Sequence, residues 1–405
     1  MPLVPSALFR LPDFRWLCAT MVLNSAGMMG ELVVLGWLAL ELTNSPFLVG
    51  VAMGARAAPL FFVGVPAGVL ADQLPRRQLL IATNVGQAVT TSVIGFVALS
   101  GVATFGQLAA MTLAAGVLRG IEHAARQSYT HDVVGAPNLV RALAMQGAAM
   151  RVGWLFGSLG TGAVIAHWGA GVAYLSVAIC YLAGAAMLLP ASSTPVGTSP
   201  SQGSLWESFV AFLASLRRDS TLPVLMLLTA AAEVLGFAHQ TVLPSLARDV
   251  LHVGPDGLGF LNAARAVGGI VGLFAVSARR TGAGGSGALF FIVLVSFGTS
   301  LIALGLAPRS IGFAGVLIVL IIVNAIGALA DLLAQSLMQL SVPSGLRGRA
   351  GGAWVAAIGL APIGQLQIGA LASLFGVAVA LGTSGATLAV LAAGAAVLFP
   401  RIRRL

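Results

Sequence analysis

Apolar runs long enough to cross a lipid bilayer follow one another along the whole chain, separated by short stretches with arginine, proline and glycine. A spanning helix needs about 20 mainly apolar residues. The chain is 58% hydrophobic and 8% charged, whereas a soluble domain is about 25% charged. Because a chain of 405 residues has no core large enough to bury so much apolar side chain, the excess must face lipid. The sequence therefore predicts an all-α membrane protein of about twelve transmembrane helices.

The breaks between the apolar runs also predict the domain organisation. The predicted spans are 14–42, 46–72, 78–101, 104–127, 138–168, 169–190, 222–250, 255–279, 285–307, 310–341, 348–374 and 375–400. The longest connector starts with residues typical of a flexible linker and continues with apolar residues at helical spacing, which predicts an amphipathic helix on the membrane surface. We therefore expect a six-helix bundle at 1–190, a cytoplasmic linker at 191–221 and a second six-helix bundle at 222–405.

The placement of the arginines predicts the orientation in the membrane. If both termini are cytoplasmic, fifteen arginines lie on the cytoplasmic side, and only Arg248 and Arg309 lie on the opposite side. This asymmetry follows the positive-inside rule, so we expect a multi-pass protein of the cytoplasmic (inner) membrane, surrounded by membrane lipids. Although the net charge is +9, the arginines form no patch interleaved with aromatic residues, and no nucleic-acid partner is expected.

Cofactor and enzyme signatures are missing from the sequence. Cys18 and Cys180 lie in separate apolar runs, which favours two buried small side chains over a disulfide or a metal pair. The sequence has no metal-ligand spacing and no phosphate-binding glycine loop that ends in lysine. We therefore expect no cofactor and no metal, and we expect a protein that is not an enzyme.

Charged residues inside the predicted spans are the first candidates for function. Each costs at least about 2.5–3.5 kcal/mol at the centre of a spanning helix and needs a partner, water or a cavity. Such residues are Glu31, Arg56, Arg119, Glu122, Arg151, Glu233, Arg265 and Asp331. Equal numbers of acids and arginines predict ion pairs, which can be purely structural. A carboxylate that lines a cavity can also bind and release protons while competing with substrate. The candidates for proton coupling are Glu31, Arg119, Glu122, His123, Glu233 and Asp331.

Short motifs recur at the ends of the predicted spans. The loop after the second span reads Gly68-Val-Leu-Ala-Asp72-Gln-Leu-Pro-Arg76-Arg77. Further motifs are Gly116-Val-Leu-Arg119, Ala125-Arg126-Gln127, Leu243-Pro-Ser-Leu-Ala-Arg248-Asp249 and Val342-Pro-Ser-Gly-Leu-Arg347-Gly-Arg349. Together they resemble the major facilitator superfamily, and within it the branch that contains the enterobactin exporter and related drug exporters. The resemblance covers nearly the whole chain in order and implies two six-helix bundles that rock about a central site.

The resemblance also implies roles for single residues. Arg119 matches the fourth-span arginine that exporters of the superfamily use in proton coupling. The loop motifs imply a cytoplasmic gate formed by Gly68, Asp72, Arg76, Arg77, Arg347 and Arg349. Independently, Gly68 permits close helix approach, and Asp72 can pair with a nearby arginine. An ordinary positive-inside loop would explain the arginines but not Gly68 together with Asp72.

Small and amphipathic residues complete the list of candidates. Gly153, Gly157 and Gly160 on the fifth span permit close helix packing, and the run resembles the glycine-rich fifth-span motif of antiporters, which favours export. Amphipathic aromatics with scattered amides suit a bulky, partly apolar ligand. The candidates for the substrate cavity are Asn24, Trp37, Arg56, Trp154, Gln240, Arg265, Asn324, Gln335, Trp354 and Gln365.

These features predict a monomeric, proton-coupled exporter of an amphipathic small molecule, such as a drug or a siderophore-like compound. A lysophospholipid or other lipid-related transporter, and an importer of the same fold, remain alternatives. A membrane-embedded enzyme would need a clustered metal or nucleophile set, which the five histidines do not form in sequence. A channel fits less well, because paired charges and glycine-hinged halves suit alternating access better than a continuous pore.

Overall fold

The computed structural model describes residues 8–192, 221–278, 286–341 and 347–404, and these residues are helical almost throughout. The first four helices are α1 (Pro12–Thr43), α2 (Pro46–Gln73), α3 (Arg76–Leu99) and α4 (Phe105–Val134). Local sequence sets their ends. Asn44 ends α1 in the left-handed conformation, with φ of 50°. Thr104 and Gln107 form a capping box at the start of α4, each side chain accepting from the backbone N–H of the other residue.

The remaining helices are longer or less regular. The helix Leu139–Met187 comprises α5 (139–168) and α6 (170–187), and the helix Ser286–Leu340 comprises α9 (286–311) and α10 (313–340). Between them lie α7, at Thr221–Val250, and α8, at Gly254–Ala278. The last elements are α11, in two pieces at Arg347–Ile358 and Ala361–Phe375, α12 (Val377–Leu398) and the short α13 (Pro400–Arg403).

Two glycines divide the very long helices. Gly169 has φ of 82° and Gly312 has φ of 64°, a conformation that favours glycine because it lacks a Cβ atom. The chain can therefore turn sharply within one residue between two consecutive apolar runs. The break at Gly169 lies at the predicted boundary between the fifth and sixth spans. The break at Gly312 lies within the predicted tenth span, two residues after its start.

The helical membrane architecture agrees with the predicted fold class. Within the described residues, eight continuous helices are long and apolar enough to cross a membrane, and two of these contain the glycine breaks. Large apolar side chains point outward, as lipid contact requires: Phe96, Leu227, Phe274, Leu374 and Val397 are all more than 60% exposed. The count of twelve membrane-spanning helices is not confirmed by these lengths alone.

The chain forms two compact units. Unit 1 comprises Met1–Thr198 with Leu243–Val267, and unit 2 comprises Ser199–Val242 with Gly268–Leu405. Close packing explains why the end of α7 belongs to unit 1: a Cβ atom on Gly36 would lie 2.7 Å from Pro244 Cγ, and Arg248 donates to the Leu40 carbonyl at 3.1 Å. The predicted bundles 1–190 and 222–405 stay a prediction. The predicted amphipathic helix of the linker lies outside the described residues.

Each unit has its own buried core. In unit 1, Leu17, Leu80, Tyr129 and Leu188 pack together where α1, α3, α4 and α6 meet. In unit 2, the side chains of α9, α10 and α12 interlock around buried residues that include Phe290, Leu294, Leu337 and Ala392. The fully buried Tyr181 of α6 packs against Ala88 of α3 in a separate apolar cluster of unit 1. This cluster adjoins the charged residues described next.

Candidate functional site

A carboxylate and two arginines meet inside unit 1. Glu31 on α1 is buried, with a side chain that is 4% exposed. Arg56 on α2 faces it: Nε donates to Glu31 Oε1 and Nη2 to Glu31 Oε2, both at 3.4 Å. The same Nη2 donates to the Met28 carbonyl at 3.4 Å. Arg119 on α4 is the second arginine, with Nη2 at 3.6 Å from Glu31 Oε2.

Tyr181 on α6 connects the carboxylate with the second arginine. Its hydroxyl donates to Glu31 Oε2 at 2.8 Å and accepts from Arg119 Nη2 at 2.9 Å. Arg119 Nη2 also donates to Gln87 Oε1 on α3 at 3.5 Å. Five helices therefore contribute a side chain to one polar network, which we call the charge cluster: Glu31, Arg56, Gln87, Arg119 and Tyr181.

Small residues on α1 and α4 bring these side chains within reach. A Cβ atom on Gly30, next to Glu31, would lie 2.9 Å from Val177 Cγ2 and would also clash with Thr161. A Cβ atom on Gly116, one turn before Arg119, would lie 2.5 Å from the Arg56 carbonyl oxygen. Only glycine permits helices to approach so closely. This close packing brings the side chains of Glu31, Arg56, Arg119 and Tyr181 within reach of one another.

The charge cluster carries an excess positive charge, since two guanidinium groups face one carboxylate. An arginine cannot lose its proton in a protein, so this excess persists at any physiological pH. The side chains of Arg56 and Arg119 are 10% and 19% exposed, more than that of Glu31. Tyr174, also on α6, lies within electrostatic range of Glu31 and Arg56, and its buried hydroxyl has no hydrogen-bond partner among the described residues.

Unit 2 contains polar contacts of its own between helices. Asp331 on α10 accepts a hydrogen bond from Trp354 Nε1 of α11 at 2.9 Å. Glu233 is partly buried in a π-helical turn of α7 and lies within electrostatic range of Asp331, so the two carboxylates repel each other when both are ionised. His239, in the following 3₁₀ turn, is fully buried, with Nε2 at 3.4 Å from Asn324 Nδ2 of α10. Such irregular helical turns occur frequently at functional sites.

Besides Glu233 and Asp331 of unit 2, two predicted proton-coupling residues on α4 also lie apart from the charge cluster. Glu122 pairs with Arg126 one turn further along α4, at 3.0 Å, rather than with a partner on another helix. His123 is exposed, and its ring nitrogens lie 3.1 Å from Arg126 Nη2 and 2.9 Å from Gln127 Nε2. Arg119 and Glu122 therefore belong to different polar groups, although they stand on the same helix.

The predicted cavity residues fall into different environments. Arg56 belongs to the charge cluster, whereas in unit 2 Asn324 contacts His239 and Trp354 donates to Asp331. Arg265 donates to Asn262 on its own helix at 2.8 Å. Asn24 and Gln365 are buried, whereas Trp37, Trp154, Gln240 and Gln335 are partly buried. The Arg151 guanidinium lies 6.0 Å from the centre of the Trp154 ring.

Two of the predicted gate residues, Arg76 and Arg77, form contacts within unit 1. Arg76 at the start of α3 forms an ion pair with Asp132 near the end of α4. Arg77 Nε donates to the Leu188 carbonyl at 2.8 Å, and its Nη2 donates to the Leu189 carbonyl. These contacts tie the ends of α3, α4 and α6 together. The side chains at positions 68, 72, 347 and 349 lie outside the described part of the structure.

The glycine motif of α5 packs closely against α1 at two of its three predicted positions. A Cβ atom on Gly153 would lie 2.8 Å from Ser25 Cβ, and one on Gly157 would lie 2.7 Å from Ala26 Cα. At Gly160 a Cβ atom would meet nothing within 4 Å, so the prediction of close packing at Gly160 is wrong. Helical spacing could not reveal this, because residues three, four and seven positions apart share one face of a helix.

Sequence reasoning missed the tyrosines. The chain has only three, and Tyr129, Tyr174 and Tyr181 are all buried in unit 1. A buried tyrosine hydroxyl usually finds a hydrogen-bond partner, so rare tyrosines in apolar runs were an available signal for polar groups inside the bundle. Gln87 carries the same signal, because an amide in the middle of a predicted span needs a partner.

Comparison with known proteins agrees with this architecture. The enterobactin exporter EntS of Salmonella typhi is 27% identical over 343 residues, which is 80% of this chain and 78% of that protein. The staphyloferrin A transporter of Staphylococcus aureus is 21% identical over 348 residues, 85% of each chain. A crystal structure of a mutant of the nucleoside transporter NupG superimposes with a TM-score of 0.77 at 12% identity, covering 96% of this chain and 99% of that chain.

The family itself follows from a match over nearly the whole chain. The model of the transmembrane secretion effector family matches residues 4–405. The predicted membership of the major facilitator superfamily is confirmed by this match and by the exporters and transporters above. This chain therefore belongs to the transmembrane secretion effector family of major facilitator transporters.

Proposed function

We propose that this protein is a proton-coupled exporter of an amphipathic small molecule, a drug or a siderophore-like compound, that works by alternating access. The observation that carries the proposal is the charge cluster in unit 1. In this cluster a carboxylate is shared by two arginines and a tyrosine, each from a different helix. Charged residues are costly inside a membrane and occur there mostly at functional sites. The names of the two relatives, exporter and siderophore transporter, support the direction and the substrate class.

The coupling step involves the two protonation states of Glu31. When Glu31 is ionised, Arg56, Arg119 and Tyr181 hold it and tie α1 to α2, α4 and α6. When Glu31 is protonated, its attraction to both arginines is lost and the four helices are less firmly connected. In the proposed cycle the substrate leaves while Glu31 is ionised, and Glu31 then takes up a proton on the outer side. It releases this proton on the inner side when it pairs with the arginines again, so that one proton enters as one substrate leaves. The acids Glu233 and Asp331 of unit 2 are the candidates for a second proton site.

Transport driven by a pH gradient is the direct test. Proteoliposomes with an imposed gradient would be assayed with three fluorescent probes: anionic N-dansyl-leucine, neutral N-dansyl-leucinamide and cationic ethidium. We expect gradient-driven flux of at least one probe, and loss of that dependence in Glu31→Gln. Glu41→Gln is the matched control, because Glu41 is an exposed glutamate on the same helix. Flux that ignores the gradient for every probe, or full gradient-driven flux in Glu31→Gln, contradicts the proposal.

The proposed setting is the bacterial inner membrane, with both termini in the cytoplasm and the protein acting as a monomer. The asymmetry of the loop arginines supports this orientation. Single cysteines introduced as Arg10→Cys and Ser310→Cys, with Cys18 and Cys180 replaced by alanine, report the two sides. An impermeant maleimide added to intact cells should label only the cysteine at position 310. Labelling of position 10 from outside contradicts the orientation.

A further inference from the structure

We infer that Arg56 and Arg119 form a binding subsite for an anionic oxygen group of the transported molecule, such as a carboxylate, and that Glu31 is the resident counterion that this group replaces. The inference rests on the proposed function, since it names the class of substrate that the same site would take. It follows from three observations on the charge cluster: its charge balance, the length of its ion pairs and an unsatisfied hydroxyl beside it.

The charge balance leaves room for one more negative group. Among the described residues, Glu31 is the one carboxylate that ion-pairs with Arg56 or Arg119. The other partners of the two guanidinium groups are neutral: the Met28 carbonyl, the Gln87 amide and the Tyr181 hydroxyl. An uncompensated charge inside a membrane protein is unfavourable. An anionic ligand would neutralise the excess positive charge, and this neutralisation would contribute to its binding free energy.

The lengths of the ion pairs show that Glu31 satisfies neither arginine fully. Strong guanidinium–carboxylate hydrogen bonds are about 2.7–2.9 Å long. Here the nitrogen–oxygen distances are 3.4 Å to Arg56 and 3.6 Å to Arg119, and the shortest contact of Glu31 is the one from Tyr181, at 2.8 Å. The arginine side chains are also more exposed than Glu31. The guanidinium groups are therefore more accessible than the carboxylate, and their long contacts with Glu31 leave room for a closer anionic partner.

Tyr174 supplies a further observation near the charge cluster. Its side chain is fully buried, and its hydroxyl has no hydrogen-bond partner within the described part of the chain. It lies within electrostatic range of both Glu31 and Arg56. Leaving a buried hydroxyl unpaired is unfavourable, so an anionic group that extends from Arg56 towards Tyr174 would gain a hydrogen-bond donor. The titratable and charged groups around Glu31 are thus Arg56, Arg119, Tyr174 and Tyr181.

Binding of a matched pair of probes to the purified full-length protein tests this inference separately from transport. N-dansyl-leucine and N-dansyl-leucinamide differ only in a carboxylate against a neutral amide, and binding is measured by dansyl fluorescence polarisation. We expect the wild type to prefer the carboxylate by about tenfold, the value of one hydrogen bond to a charged group. Arg119→Gln and Arg56→Gln should lose the preference. Glu31→Gln, which removes the competing anion, should increase it. Arg248→Gln, which removes an arginine of another ion pair, should retain it.

Tyr174→Phe tests the subsite independently in case an arginine variant does not fold. Because it removes an unpaired hydroxyl, the variant should unfold at the wild-type temperature or above, yet bind N-dansyl-leucine several-fold more weakly. Equal binding of the two probes, no saturable binding of either, or a weaker carboxylate preference in Glu31→Gln would overturn the inference. If the preference is absent while gradient-driven flux of another probe persists, the subsite fails and the proposed function stands. The reverse result leaves the subsite and refutes proton-coupled export.

Discussion

Replacing Gly157 by alanine gives the sharpest test of how α5 packs on α1. The added Cβ atom would lie 2.7 Å from Ala26 Cα and would also meet the Ala26 carbonyl. Carbon atoms in contact sit about 3.5–4.0 Å apart, so the two helices must separate by roughly 1 Å. Neither neighbour can move out of the way by itself, because both contact atoms belong to the backbone of α1.

The size of the effect follows from two opposing contributions. Overpacking a close contact costs about 1–3 kcal/mol, and alanine recovers up to about 1 kcal/mol over glycine in a helix. Gly160→Ala is the matched control: it lies on the same helix three residues later, and its added Cβ atom meets nothing within 4 Å. Gly160→Ala should therefore gain the helix propensity of alanine without the cost of a clash. The difference between the two variants should be about 1–3 kcal/mol in favour of Gly160→Ala.

The assay is thermal unfolding of both variants in the same detergent, followed by tryptophan fluorescence. One kcal/mol shifts Tm by about 2–4 °C in a domain of 150–250 residues and by less in a longer chain, so we expect Gly157→Ala to unfold about 2–5 °C below Gly160→Ala. Equal unfolding temperatures would refute the packing of α5 on α1. A lower temperature for Gly160→Ala would refute the assignment of open space at that position.

Two further predictions concern hydrogen bonds at other sites. Trp354→Phe removes the N–H that donates to Asp331, so it should lower the free energy of unfolding by about 1–3 kcal/mol. The control is Trp154→Phe, which should not lower it, because the indole N–H of Trp154 has no hydrogen-bond partner among the described residues. Equal effects of the two variants in thermal unfolding contradict the assignment. Arg77→Ala removes the donors to the carbonyls at the end of α6, so the backbone amides around Leu188 should exchange hydrogen about tenfold faster by mass spectrometry, and unchanged exchange refutes that anchor.

The helical fold was largely predictable because each part of it rests on local chemistry. Apolar runs, arginine-bearing ends and glycine at the turns fix where helices begin and end, and the break at Gly169 coincides with a predicted boundary. The equivalent break at Gly312 lies two residues after the predicted start of the tenth span. The apolar pattern does not distinguish Gly312 from the residues before it, and only its φ of 64° identifies the break. The irregular π and 3₁₀ turns of α7 carry no signal in the apolar pattern.

The charge cluster was predictable only in part. The cost of charges in a membrane identified Glu31, Arg56 and Arg119 as residues that need partners. Their mutual pairing depends on three helix–helix approaches, at distances that no spacing in the sequence reveals. Glu122 shows the limit of the argument, since its partner is the nearby Arg126 rather than a residue of another span. Tyr181, which joins the acid to Arg119, is invisible to a search for charges.

The central claim is that the charge cluster couples export to protons. Its most direct test is to measure proton movement and substrate movement in the same proteoliposomes. Proteoliposomes loaded with N-dansyl-leucine and the pH dye pyranine would be diluted into probe-free buffer, with the membrane potential clamped by potassium and valinomycin. The account predicts internal acidification as the probe leaves, abolished in Glu31→Gln and retained in Glu41→Gln. Simple leakage of the protonated acid would instead carry protons outward with the probe. Internal alkalinisation, or probe efflux with no proton movement, would contradict the account.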